Sequence, residues 1–225
     1  MEDIYIFLKD RIKGKRLILF GEMHGTREIP SLVLRFFKRY ARTQPFTLCL
    51  EIPHDQQELI DCYFETGKES LLKSMPFFQN PEKGDGRNSK EFLFLIKNVF
   101  KLHKKNKNIL IKCVDTSIPP TDTNQREGIL AENMLKSLSK NQTFALLGNV
   151  HASKKEILFQ GLKIRPAGFV LAKKLKSKML TVNLWPLKGT FFNFGVKRIG
   201  SLPPGLEEHY DCTILLDRVS HCKLN

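Results

Sequence analysis

The sequence predicts an α/β fold, and three observations carry that prediction. Short apolar runs end in glycine or an acid, as at Lys15 to Phe20 before Gly21 and at Phe46 to Ile52 around Glu51. Between such runs, apolar residues recur at helical spacing, the alternation that marks βαβ units. Two of the runs also close in near-matching turns, RLILFGEMHG around His24 and TFALLGNVHA around His151. In open α/β sheets ligands bind at strand ends, so the pair of turns points to one shared site.

The elements follow in order. Lys15 to Phe20 reads as a buried strand. After GEMHG, Pro30 suits a first helical turn, and Leu32, Phe36 and Tyr40 repeat on one face. Phe46 to Ile52 is a second buried strand, and strand, helix, strand at this spacing predicts a parallel pair. From 54 to 106 the pattern changes to a helical excursion placed to roof a site. Leu59, Ile60 and Tyr63 support its first helix and Gly67 stops it; PEKGDGRNS is a polar loop, with Asn88 or Ser89 as N-cap of KEFLFLIKNVFKLHKK. The sheet resumes with a strand from Asn108 to Val114, closed by Asp115 and the Pro119-Pro120 break. A helix from Asn124 to Leu138 leads to the strand Thr143 to Leu147 and the turn GNVHA. Pro166 and Gly168 open another helix to Lys176, and strands follow at Met179 to Leu184 and Cys212 to Leu216. The Gly- and Pro-rich stretch from Pro186 to Glu208 receives no assignment. The chain is thus expected to be a single domain over 1–225 with an excursion at 54–106.

With 41% hydrophobic and 27% charged residues, the composition is that of a globular protein, which excludes a disordered chain. No run approaches the ~20 apolar residues of a membrane span. The start, MEDIYIFLKDRIKGK, lacks the ordered regions of a signal peptide, so a cytoplasmic location is expected. The five cysteines, Cys49, Cys62, Cys113, Cys212 and Cys222, form no CxxC pair, which argues against a disulfide framework or zinc knuckle. A formal charge of +14 attracts anions. Its lysines are scattered through KLHKKNKN at 101–108, Lys154, Lys155 and KKLKSK at 173–178, without aromatic interleaving. A solvated surface is favoured over a nucleic-acid face.

Chemistry concentrates at the strand ends. Glu22 and His24 lie two apart and face one way if the chain stays extended through Met23, while Gly25 frees the turn. A carboxylate beside an imidazole orients it and raises its basicity, as a general base requires. The alternative is a core histidine satisfied by its neighbour. Glu51 and Asp115 each end a strand and, with Glu22, make a carboxylate-rich rim; Asp115 can also serve only as a turn residue. His151, after Gly148 and Asn149, is a candidate second acid or base, anion binder or metal ligand. Arg27 with Glu28, and Arg126 with Glu127, sit near helix starts, where an arginine clamps a substrate carboxylate or phosphate, orients a catalytic carboxylate bidentately, or forms a structural ion pair. His54, His103 and His221 are expected to be solvated, and His209 is a weaker site candidate. No GxSxG, P-loop, GxGxxG or HExxH is present. A metal site would have to draw on His24, Glu22, Glu51 and His151.

Taken together these motifs resemble the erythromycin esterase and ChaN-type superfamily and, more distantly, Tiki and TraB-like metalloproteases. GEMHGTRE at 21–28 resembles its GE-x-H-G signature, and LEIP at 50–53 its second-strand acid. NQREGILAENM at 124–134 resembles its R-D/E-x-x-M/L-A-E-N helix, LGNVHA at 147–152 its G-N/H-x-H-A turn, and HYDCTILLD at 209–217 its closing strand. The resemblance implies a central, mostly parallel sheet flanked by helices on both faces. It also implies an esterase-type hydrolase of a small-molecule substrate. His24 would activate water, Glu22 and Glu51 would orient it or the water, and His151 and Arg27 would support the site. The residues themselves, apart from the resemblance, make Arg27, Glu28, Arg126, Asp115 and Asn149 candidate substrate contacts. The same resemblance implies, as the alternative, a protein that binds haem or a divalent metal in that cleft. The chain is much shorter than an erythromycin esterase and has little room for a lid over a macrolide.

Overall fold

The computed structural model describes residues 3–117, 122–159 and 161–224. The Pro119-Pro120 break expected after the third strand lies outside them. In chain order the elements are α1 (Ile4–Leu8), β1 (Leu17–Glu22), α2 (Glu28–Tyr40), β2 (Phe46–Pro53), α3 (Gln57–Thr66), α4 (Glu69–Ser74) and α5 (Lys90–Lys105). There follow β3 (Leu110–Asp115), α6 (Thr123–Lys136), β4 (Gln142–Gly148), α7 (Asn149–Ala152), the hairpin β5 (Ile157–Phe159) and β6 (Leu162–Ile164), and α8 (Ala167–Leu175). The chain then forms β7 (Met179–Pro186), the hairpin β8 (Thr190–Phe192) and β9 (Val196–Arg198), and β10 (Cys212–Leu216).

Six strands form one sheet in the order β10-β7-β1-β4-β2-β3, and every pairing in it is parallel. Alternation along each strand divides its side chains between two cores. Ile18, Phe20, Leu48, Leu50, Phe144 and Leu146 meet α2 and α5 on one face. Leu17, Leu19, Cys49, Ala145 and Leu147 meet α6 and α8 on the other. The division follows from handedness. The chain advances from β1 through β2 to β3 and then turns back to β4 and β7, so right-handed crossovers place the later helices on the opposite face. Aromatic rings fill the first core, where Phe37 and Phe46 stack at 4.5 Å and Phe144 meets Phe36 edge-on at 5.4 Å.

Reversal of direction also fixes where a site can form. Chain leaving β1 and β2 passes to one face, and chain leaving β3 and β4 passes to the other, so a crevice opens at the carboxyl ends of these four neighbouring strands. The expected helical excursion is present as α3 to α5. Gly67 ends α3 in the left-handed conformation, and the Ser89 hydroxyl caps α5 by accepting from the Phe92 amide. The unassigned Pro186 to Glu208 stretch holds the β8–β9 hairpin, whose Phe192 amide donates to the Gly25 carbonyl and Phe194 amide to that of Gly84. Among the described residues no helix is long and apolar enough to cross a membrane, and all five cysteines are free.

One expectation is corrected. His103 is not solvated: it is 8% exposed, donates from Nδ1 to the Ile109 carbonyl at 2.8 Å, and lies 4.9 Å from the Phe64 ring. The chain folds back from α5 into β3 and closes over it. His54 and His221 are exposed, as expected.

Candidate functional site

Glu22 ends β1, and its buried carboxylate accepts from His24 Nδ1 at 3.0 Å. That bond puts the proton on Nδ1 and turns Nε2 inward, 3.5 Å from Glu51 Oε2. Glu51 ends β2 two strands away and is 1% exposed; the β2–β3 ladder shifts register between Leu50 and Pro53 around it. Its Oε2 accepts from the Gly148 amide at 2.6 Å, which ties the ends of β2 and β4 together. Residue 148 must be glycine for this approach. A Cβ there would stand 2.7 Å from His24 Nε2 and 3.2 Å from His151 Cδ2.

His151, on α7, mirrors His24. Its Nδ1 donates to Glu127 Oε1 at 2.6 Å, and its Nε2 lies 3.4 Å from Glu51 Oε1. The supporting acid here comes from α6 and is fully buried, with its second oxygen accepting from the Ala167 amide at 2.8 Å. Arg126 stands beside it. Its Nε and Nη2 bind both oxygens of Asp115 at 3.0 and 2.7 Å, Nη2 also reaches Glu51 at 3.1 Å, and Nη1 donates to His151 Nε2 at 3.3 Å. An arginine can only donate, so His151 Nε2 must accept, and both ring nitrogens of His151 are engaged.

A residue absent from the sequence-based set completes the cluster. Arg87 comes from the PEKGDGRNS loop of the excursion, and its Nη1 donates to Glu51 Oε1 at 2.8 Å and Asp115 Oδ2 at 3.3 Å. Its Nε is held by both oxygens of Asp85, at 3.1 and 2.9 Å. The loop reaches this far because Gly86, at φ 87°, packs where a Cβ would fall 2.4 Å from Gly25 Cα. Nothing in the spacing of PEKGDGRNS distinguishes this arginine from one in any polar loop. The only available signal was its place in a segment expected to roof the strand ends. The sequence offers Glu127 only as the neighbour of Arg126 and not as the acid behind His151. Beside the cluster a cavity of about 310 Å³ is lined by Pro53, Phe77, Arg87, Asp115, Thr116 and Arg126.

Electrostatics separates the groups. Burial disfavours the Glu51 carboxylate, but the positive charges around it, that of Arg87 first, outweigh it and hold Glu51 below the usual carboxylate range. Burial raises Glu22, and its bond to His24 only partly offsets this. For His24 burial opposes protonation, yet the Glu51 charge and the Glu22 hydrogen bond win, so its pKa is raised. Burial likewise works against charge on Arg87, which the Glu51 and Asp85 carboxylates overcome.

The structure thus brings together Glu22, His24, Glu51, Asp115, Arg126 and His151. Asn149 adjoins them through its backbone, its carbonyl accepting from the Tyr210 hydroxyl at 2.6 Å. Arg27 and Glu28 stand apart. Arg27 is 3.5 Å from Glu91 and links the start of α2 to α5, and Glu28 accepts from the Ser220 amide at 2.8 Å and holds the chain that follows β10. His209 precedes β10 in a short 3-10 turn and shares a hydrogen bond with the Ser153 hydroxyl at 2.9 Å. Among the described residues no group of three or more His, Cys, Asp or Glu is arranged to hold a metal ion.

No protein-family model matches the sequence, and no curated protein does. Solved structures do match the fold. A succinoglycan biosynthesis protein superposes with a TM-score of 0.75 at 12% identity, over 97% of this chain and 91% of that one. An erythromycin esterase mutant, EreC in its open conformation, gives 0.64 at 11% identity, over 88% and 78%. ChaN of Campylobacter jejuni, solved with cofacial haem, gives 0.54 at 15% identity, over 82% and 85%. The chain therefore has an erythromycin esterase and ChaN-like fold, a parallel α/β sheet flanked by helices.

Proposed function

We propose that this chain is an esterase-type hydrolase in which His24 is the general base. One observation carries the reading: of the two histidines at the strand ends, only His24 keeps an Nε2 that no arginine donates to, while Glu22 holds its Nδ1. A water at Nε2 gives up a proton as its oxygen attacks an ester carbonyl. Arg87 and Arg126, bordering the neighbouring cavity, face the negative charge that develops on the carbonyl oxygen. The imidazolium, stabilised by Glu22 and Glu51, then returns its proton to the departing alkoxide, leaving acid and alcohol. Glu51, Asp115 and His151 position the two guanidinium groups. A small-molecule ester or lactone fits a cavity of this size better than a macrolide.

Haem or metal binding is the second reading, supported by the likeness to ChaN. The donor set fits it poorly. Glu51 spends Oε1 on Arg87 and Arg126 and Oε2 on the Gly148 amide, Asp115 binds both arginines, and His151 Nε2 accepts from Arg126, which leaves few donors beside His24 Nε2. No step is assigned to such a group.

Hydrolysis of a panel of small esters and lactones, with chelator and added-metal arms and His24→Ala as control, tests the proposal. Turnover that survives chelation and is lost in the variant is expected. Turnover retained by His24→Ala overturns it, and a Soret band on haem addition that needs His24 favours the second reading.

A further inference from the structure

At the opposite end of the sheet lies a second cavity, about 920 Å³, with a different electrostatic design. Its walls include Arg16, Pro45 and Asn141, the residues that immediately precede β1, β2 and β4, so it sits at the amino ends of three adjacent central strands. Five cations line it: Lys9, Lys13, Lys15, Arg16 and Lys140. No carboxylate does so among the described residues. Lys13 pairs with Asp10 at 2.7 Å, and Lys15 donates to the Ser177 carbonyl. Lys9, Arg16 and Lys140 make no ion pair among the described residues. The floor is fixed. The Tyr40 hydroxyl donates to Gln142 Oε1 at 2.8 Å, and Gln142 Nε2 donates to the Ile12 and Lys15 carbonyls, each at 2.7 Å.

Arg87 and Arg126 in the strand-end cluster are each paired with the carboxylates of Glu51 and Asp115. The second cavity differs: of its five cations only Lys13 has a carboxylate partner among the described residues, and they stand around a fixed polar floor beside the Tyr5 ring. Lysine ammonium groups are point-charge binders of phosphate, and several unpaired cations in one concavity call for several negative charges on one molecule. The volume lies in the range of small-molecule sites. We propose that this groove binds a small ligand bearing two or more phosphates, independently of the hydrolase reading.

Titration calorimetry of the full chain with tripolyphosphate tests it, alongside inorganic phosphate, a single-stranded oligonucleotide and anionic phospholipid vesicles. Saturable tripolyphosphate binding is expected, tighter than that of inorganic phosphate and weakening with added salt. The double variant Lys9→Glu/Lys140→Glu should weaken it by about tenfold or more, since a reversed charge repels a polyanion. The charge-matched Lys188→Glu/Lys197→Glu pair, on exposed lysines around the β8–β9 hairpin, should leave it within about twofold. If charge reversal prevents folding, Lys9→Ala/Lys140→Ala replaces it with the same expected direction. Three results overturn the proposal: no saturation by tripolyphosphate, equal loss in both double variants, or saturable binding confined to the oligonucleotide or the vesicles.

Discussion

The turns after β1 and β4 are two versions of one device. In each, a histidine gives Nδ1 to a buried glutamate and aims Nε2 at Glu51. They differ in the origin of the glutamate and in what else reaches Nε2. Glu22 is two residues from His24 on the same strand, whereas Glu127 comes from α6, where Arg126 is its neighbour and donates to His151. One ring is left able to take a proton, and the other is made an acceptor that holds an arginine. Near-identical local sequence therefore gives two different chemical groups, and the difference comes from a third element.

The most severe test of that contrast is His24→Ala. Loss of a general base should cost about 10²–10⁴-fold in kcat. The fold should persist, because the pairing of β1 with β4 and β7 does not involve the His24 side chain. His151→Ala should divide its effect differently. It strips one partner from the fully buried Glu127 and frees Arg126, so stability should fall by about 1–3 kcal/mol. Its loss of turnover should be smaller than that of His24→Ala. Parallel melting curves and steady-state rates decide the matter, and equal rate losses in the two variants would erase the distinction.

How far the sequence revealed this site depends on the distance between partners. Glu22 and His24 are legible because a strand fixes residues i and i+2 on one side, and Glu51 and Asp115 because each ends an apolar run. The six parallel strands and the excursion follow from the same apolar punctuation. His151 was found through its matching turn, but its assignment as a second acid or base could not anticipate Arg126, since the α6 register relative to β4 is a tertiary fact. Arg87 was invisible for the same reason: its role depends on Gly86 seating against Gly25, sixty-one positions away in sequence and in contact only after the excursion folds over. His103 was misplaced because flanking lysines suggested solvent, while the buried side of α5 is set by Phe64 and β3. The β8–β9 hairpin carries its docking in backbone hydrogen bonds, which side-chain patterns do not encode.

Gly148→Ala sharpens the comparison from between the two turns. The added methyl would meet His24 Nε2 at 2.7 Å and His151 Cδ2 at 3.2 Å, so the closer ring must move. A displacement of that kind in a positioned base costs up to about 10²-fold, and the loss should fall on kcat, with haem-free protein of unchanged secondary structure by circular dichroism. An unaffected kcat would show that His24 does not need its present position.

The smallest effect is expected in pH dependence, where the two turns should again separate. With its pKa raised, His24 loses its proton above the ordinary imidazole value of 6.5, so kcat/KM should rise with pH through a midpoint above that value. The sign for stability is opposite. A raised folded-state pKa contributes stability that is fully present below the unfolded value and is lost as pH climbs through the folded one, so the chain should become less stable over the window in which the proposed turnover rises. Arg87 works against protonation of His24. In Arg87→Gln, measured above pH 5 where Glu51 keeps Arg126 as a counter-charge, the midpoint should move further up. A midpoint that moves down, or tracks His151→Asn in place of His24→Asn, would transfer the base to the β4 turn.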